Sequence, residues 1–394
     1  MAGSIEKRGE NSWRLVVSAG FGPDGKRIKH TRTVKAKSKR EAEKLLANFI
    51  TEVEKGQFIE PSRLTFTEFT QHWFTNYAES SLAPSTLTTY QRLLEQRILP
   101  LIGNIKLEQL KPLHLTKFFR QLQEVPRLDH REGKLSNRTI TICHQIISGI
   151  LSKAEQWGVI ASNPALKVDP PKVERQETVR FADEQVAEFL AASEKEPIKY
   201  KLVLWLAIST GLRRGELTAL EWTDIDFERA KVFINKTTMH VPGHGLITTT
   251  PKTPNSSRNI TIPASVMTLL RQYKTEQAKL RLAFGSRWGG GEKLFTSDRS
   301  GLPMYPSNIR AWFCKFLKRH NLPSIRFHDL RHLSATLLIA QGVHAKAISA
   351  RLGHSNIGVT MDIYGHLLQS ADQGAADAMD QVLTKPKEKK KERA

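Results

Sequence analysis

Cysteine is nearly absent from this 394-residue chain: only Cys143 and Cys314 occur, in different regions. Two distant thiols argue against a disulfide framework and against a cysteine-based metal site. Long apolar runs are missing as well. No stretch approaches the roughly 18 to 20 consecutive apolar residues of a membrane-spanning helix, and the opening MAGSIEKRGE has no apolar core of a secretion signal. A cytoplasmic location is the expectation. Acidic residues are in short supply: 39 Asp plus Glu face 60 Lys plus Arg, a formal charge of +21 with a sequence pI near 10. That imbalance calls for a polyanionic partner. Nucleic acid fits better than an acidic membrane surface, because no basic amphipathic helix or lipidation motif is evident. With 39% hydrophobic residues the chain can fill proper cores, and its length exceeds one of them, so two or three domains are expected.

Charge and periodicity divide the chain. The first 37 residues alternate polar and apolar in WRLVVSAGF and RIKHTRTVKA around the punctuation GPDG, which reads as a β-hairpin within a small sheet. In SKREAEKLLANFITEVEKG, Ser38 and Glu41 suit a capping box, and Ala42, Leu45, Leu46, Phe49 and Val53 share one helical face. Arg14, Lys26, Arg27, Lys29, Arg32, Lys35 and Lys37 give the hairpin a face suited to phosphates, although a solvated sheet surface would look the same. From Leu64 to about Val168 four helices follow, with Pro84, Pro100, Gly103, Pro112, Pro126 and Gly158 at their edges. VDPPKVERQET reads as a linker. The rest is helical except for the β-like runs KVFIN, LITTT and RNITIP, and KPKEKKKERA ends it as a basic tail. The expected fold class is α+β and multidomain: a small N-terminal sheet with a helix (1–60), a helical domain (64–168), a linker (169–178), a mainly α domain with a small antiparallel sheet (179–383) and the tail (384–394).

Four segments of the third region gather phosphate-binding and proton-transfer groups. STGLRRGEL breaks at Thr210-Gly211 and resumes as a helix with Arg213 in its first turn, where Glu216 can orient the guanidinium. RFHDLRHLSATLL sets His328 and Arg331 three apart. His332 lies four from His328, but HDLRH carries aspartate where the zinc motif HExxH has glutamate. ARLGHSN puts His354 at a helix edge, and TTTPKTPNSSRNITIP puts Lys252 in a β-turn, with Lys236 and Arg258 as nearby alternatives. GVTMDIYGHLL adds Tyr364. Each residue alone has an ordinary explanation as a surface ion pair, a core histidine, a solvated lysine or a half-buried phenol.

In that order, the Arg of TGLRRGEL, a hairpin Lys, the His and Arg of HDLRH, the His of LGH and the Tyr of IYGH resemble the tyrosine recombinase, or phage integrase, family. The resemblance spans nearly the whole chain and is strongest from Ser209 to Leu368. It implies an arm-type DNA-binding domain first, a core-site DNA-binding domain next and a catalytic domain last. It also implies an integrase of a phage or an integrative conjugative element, working as a homotetramer on two double-stranded DNA duplexes, with an excisionase and a host DNA-bending protein as partners. Ala375, Ala378, Met379 and Val382 share one face of a terminal helix, which in the family docks on a neighbouring subunit; packing within its own chain is the alternative.

The chemistry assigns each group a task. Tyr364 attacks the phosphorus and forms a 3′-phosphotyrosyl link. Arg213 and Arg331 clamp the non-bridging oxygens, with His354 as a further donor. His328 takes the phenol proton and Lys252 protonates the departing 5′ oxygen. No paired carboxylates of the two-metal kind are apparent, so neither metal nor nucleotide cofactor is expected. A type IB topoisomerase, which reseals the strand it cuts, and a non-catalytic DNA-binding regulator are the competing readings.

Overall fold

The computed structural model describes residues 3–21, 25–54, 63–127, 132–174, 181, 183–250, 257–354, 356–358, 360–361, 379–380 and 383–384. Its backbone forms two compact units, Met1–Arg175 and Gln176–Ala394. Among the described residues no helix is long and apolar enough to cross a membrane.

The first unit holds two separate apolar cores. The smaller belongs to an antiparallel meander of β1 (Gly3–Gly9), β2 (Ser12–Phe21) and β3 (Arg27–Lys35), backed by α1 (Lys39–Glu54). Leu15 and Val17 alternate onto the helix side of β2 and meet Phe49 and Val53 of α1. The sheet thus has one strand more than the expected hairpin. β1, GSIEKRG, escaped sequence reading because it is an edge strand, exposed at every position but Ile5. Ser38 Oγ accepts from Glu41 N at 3.3 Å, while the Glu41 carboxylate reaches past it to Lys37 N at 2.7 Å.

Strand parity separates the candidate cations of this sheet. Arg14 is opposite Thr33, and Lys29 opposite Ser18, so Arg14, Arg27 and Lys29 share the face away from α1. Arg32 is opposite Leu15 and falls on the helix side. It pairs with Glu52 at 2.7 Å and covers the Phe49 ring at 4.7 Å, so it holds helix to sheet and is not on the open face with the others. Lys26, just before β3, has partners of its own.

The larger core joins four helical rods. α2 (Phe66–Trp73) starts on a capping box between Thr65 and Glu68, then continues through a π-helical turn (Phe74–Ala78) into α3 (Glu79–Ser81). α4 (Pro84–Leu93) likewise runs through a π-helical turn (Leu94–Ile98) into α5 (Leu99–Ile102). α6 (Pro112–Glu124) and α7 (Asn137–Gln156) complete the set, and Phe66, Phe69, Phe118, Leu122, Ile147 and Leu151 meet between them. Cys143 is inside this core, where burial pushes its thiol up to about 11; Cys314 is exposed in the other unit, and both are free.

The second unit begins with α8 (Asp183–Glu194), α9 (Ile198–Thr210) and α10 (Arg214–Ala219). Two small antiparallel sheets follow. β4 (Ile225–Asp226), β5 (Lys231–Ile234) and β8 (Arg258–Thr261) form one, and β6 (Thr237–Val241) and β7 (Gly245–Thr249) pair as a hairpin. Helices α11 (Ala264–Phe284), α12 (Pro306–Arg319), α13 (Asp329–Ala340) and α14 (Ala345–Leu352) close the described part. α9 is apolar almost all round, and Leu202, Val203, Leu204 and Leu206 are buried among α10, α11 and α13.

Candidate active site

The sequence TGLRRGEL dictates a sharp break between α9 and α10. Gly211 caps α9 in the left-handed region at φ 64°, and a Cβ there would collide with Leu352 at the end of α14. Glycine therefore serves both the turn and the close approach of two elements. Arg213 follows as the extended N-cap of α10, one residue outside the helical turn expected for it.

One carboxylate organises the cations that result. Glu216 accepts from Arg213 Nη1 at 2.7 Å and from the Arg213 backbone N at 3.0 Å. It also accepts from Arg258 Nη2 at 2.9 Å, with both side chains only 6% exposed. Burial alone would raise the Glu216 pKa, but the hydrogen bonds and charge of Arg258 and Arg213 prevail and hold it below the usual carboxylate range. Arg258 Nε binds the Arg351 carbonyl at 2.8 Å, and Arg213 Nη2 binds the Gly353 carbonyl at 3.2 Å. The start of α10 and the end of α14 are thereby fastened together.

Arg331, in the first turn of α13, is 3% exposed. Its Nη1 donates to the Gly211 carbonyl at 2.7 Å, whereas its Nη2 has no acceptor among the described residues. Burial, then Arg213 and Arg258, pull its pKa down to about 9 against a contrary pull from Glu216. A buried, unpaired charged donor costs more than about 1 to 3 kcal/mol.

Two histidines stand with these arginines. Gly353 ends α14 at φ 67° and sets His354 beside it, with Nδ1 2.8 Å from Thr360 Oγ1. Burial, then Arg331, Arg213, His332 and Arg258, lower its pKa to about 4. His328 is the N-cap of α13, and its ring lies edge-on to His332 at 5.4 Å. Although its surface is largely exposed, desolvation on the packed side, then His332 and Arg331, lower it to about 4, against a contrary pull from Asp329. Both imidazoles are neutral at pH 7. Asp329 itself is taken by Arg326, at 2.8 Å from Nη2, and among the described residues no group of three or more His, Cys, Asp or Glu side chains could hold a metal ion.

Arg213, Arg331, His328 and His354 thus come together around Glu216 from α10, α13 and the end of α14. Lys252 and Tyr364 lie outside the described residues, as do Ala375, Ala378 and Val382; Met379 is exposed. The two alternatives to Lys252 are both engaged. Lys236 is held by Glu221 at 2.6 Å and Asp224 at 3.6 Å, and Arg258 is the buried partner of Glu216. Sequence reading had no signal for that second arginine on Glu216, nor for Thr360 as the partner of His354.

Comparison with known proteins bears on what such a cluster is for. The model of the phage integrase family matches residues 180–370, and that of the phage integrase N-terminal SAM-like domain matches residues 65–123. A protein described as tyrosine recombinase XerC-like, from Caldanaerobacter subterraneus, is 28% identical over 96% of this chain and 98% of its own. The ICEBs1 integrase of Bacillus subtilis is 27% identical over 96% of this chain and all (100%) of its own. Among solved structures, the Tn1549 transposon integrase with transposon right end DNA superposes with a TM-score of 0.64 at 22% identity, over 82% of this chain and 100% of that one. A lambda integrase tetramer bound to a Holliday junction gives 0.55 at 17% identity, over 91% and 94%.

Proposed function

Because this chain belongs to the phage integrase family of tyrosine recombinases, we propose that the cluster around Glu216 is its strand-cleaving centre, with Tyr364 as nucleophile. The protein is an integrase of the mobile-element kind, an enzyme that breaks and rejoins DNA strands. One observation carries the assignment of the centre. Arg213, Arg258 and Arg331 gather at Glu216, and among the described residues the buried Arg331 Nη2 has no acceptor, so the guanidiniums are placed to receive an anion. A DNA phosphate supplies one.

The chemistry then follows from the groups. Arg331 and Arg213 bind the non-bridging oxygens of the scissile phosphate, and the charge that develops there in the transition state is what their fixed forks stabilise. His354, its Nδ1 occupied by Thr360, offers Nε2 as a further donor. Neutral at pH 7, His328 can accept the proton of the Tyr364 phenol as the oxygen bonds to phosphorus. The P–O5′ bond breaks, Lys252 protonates the leaving oxygen, and the strand stays linked through a 3′-phosphotyrosine. A 5′ hydroxyl from the partner duplex reverses these steps and joins the new strand. The positive charge that these steps need is present in the arginines.

On this reading residues 64–168 grip core sites and the N-terminal sheet grips arm sites through Arg14, Lys26, Arg27 and Lys29. Four subunits assemble on two duplexes, in the cytoplasm, with an excisionase and a host DNA-bending protein setting direction. A nicked suicide duplex tests the centre: the wild type is expected to form a covalent adduct, and Tyr364→Phe to bind without forming one. Adduct formation by Tyr364→Phe would remove that residue from its role. Relaxation of supercoils without joining of two site-bearing duplexes would favour the topoisomerase reading instead.

A further inference from the structure

The motif TGLRRGEL carries a second arginine that the cleavage centre does not use. Arg214 opens α10 half-buried, and its guanidinium has no hydrogen bond or ion pair among the described residues. α10 packs against both β6 and α12. α12 contributes Arg310, also without a charged partner among the described residues, and where β6 reaches α12 the His240 ring lies 5.4 Å from that of Tyr305. Burial lowers the Arg214 pKa, and among the described residues the Arg310 cation adds to that effect. Two like charges on packed elements, with no carboxylate paired to either among the described residues, repel unless an anion joins them.

We propose that Arg214 and Arg310 together bind a second, non-scissile phosphate of the cleaved strand, next along the backbone from the phosphate held by Arg213 and Arg331. The inference rests on the cleavage centre assigned above and adds to it a site that sets the register of the strand. Arg213 and Arg214 do not share a phosphate, because the Arg213 guanidinium is taken by Glu216 and the Gly353 carbonyl, whereas Arg214 has neither partner and belongs to the helix that packs on α12. Two side chains that leave consecutive residues for different partners reach different phosphates of one strand, and two planar forks suit one phosphate group.

Single methylphosphonate linkages, which remove one charge at a time, test this around the scissile position. Binding is read in a Tyr364→Phe background, with and without Arg214→Gln plus Arg310→Gln. One flanking neutral linkage is expected to weaken the protein with both arginines about tenfold. The double variant is expected to bind native DNA about tenfold more weakly, lose nothing more at that linkage, and show a salt dependence shallower by about 0.9 in log–log slope. Unchanged affinity and slope, or losses that multiply at every linkage, overturn the proposal. Arg310→Gln alone, at an exposed position, gives part of the effect with unchanged melting, which separates phosphate binding from misfolding. A wild type that forms no adduct on the unmodified nicked duplex would strike the cleavage centre itself and is read independently.

Discussion

Replacing Glu216 by alanine tests the organisation of the centre without touching any group that meets the phosphate. Its carboxylate is 6% exposed and holds Arg213 at 2.7 Å and Arg258 at 2.9 Å. Breaking a buried pair by removing one partner costs about 3 to 5 kcal/mol, because the other charge is left desolvated. Here Arg258 is that charge, and three guanidiniums would face one another without this carboxylate among them. For a folding unit of this size about 1 kcal/mol moves the melting temperature by about 2 to 4 °C, so a fall of about 6 to 20 °C is expected. Urea denaturation at pH 7 gives the free energy directly. Glu216→Gln, which keeps an acceptor for one guanidinium, should lose less, and Glu216→Leu with Arg258→Met should recover part of the loss. Cleavage of a nicked duplex below the melting temperature should fall about 100- to 1000-fold, as when one preorganised donor is lost. DNA binding should persist, since the protein gains positive charge. A Glu216→Ala variant within about 1 kcal/mol of wild type would refute the view that this carboxylate holds the arginines.

Other outcomes follow from the same geometry. Arg331→Ala should cost about 100- to 1000-fold in cleavage rate while leaving non-covalent DNA binding largely intact, read by single-turnover kinetics and a binding titration. His328 and His354 have folded pKa values near 4 against an ordinary 6.5, so between those values the unfolded chain binds more protons. Stability is therefore full above pH 6.5 and falls as pH drops toward 4, by at most about 1.4 kcal/mol per pH unit for each ring. Solvent screening reduces the share of the more exposed His328. Denaturation curves of His354→Gln across that range should show a shallower slope. Arg32→Ala should lower the stability of the N-terminal sheet and leave arm-DNA affinity nearly unchanged, whereas Arg14→Ala and Lys29→Ala should do the reverse, as thermal melting and a salt-dependent binding assay would separate.

The legible parts of this chain were those where one local rule decides. Helix limits followed from Pro84 and Pro112 at first-turn positions and from Gly211 and Gly353 as left-handed caps, whereas the capping box of Thr65 with Glu68 went unread. The grouping of Arg213, His328, Arg331 and His354 was legible through the order of short motifs. Their meeting depends on contacts as distant as Arg213 with Gly353, 140 residues apart, which no local pattern contains. β1 and β6 went unread because GSIEKRG and TTMHV lack the clean alternation that betrays a half-buried strand. Both π-helical turns were invisible for the opposite reason: they fall within runs whose apolar spacing continues. Arg32 was misplaced by charge alone, although its parity relative to Arg14 depends only on the period of two and on the strand register.

Digestion of the covalent complex trapped on a nicked duplex, with mass spectrometry to locate the DNA-linked residue, decides whether Tyr364 is the nucleophile. A 3′-phosphodiester on the phenolic oxygen of Tyr364 is expected. A DNA link on any other side chain, or a strand cut that leaves no protein attached, would contradict it.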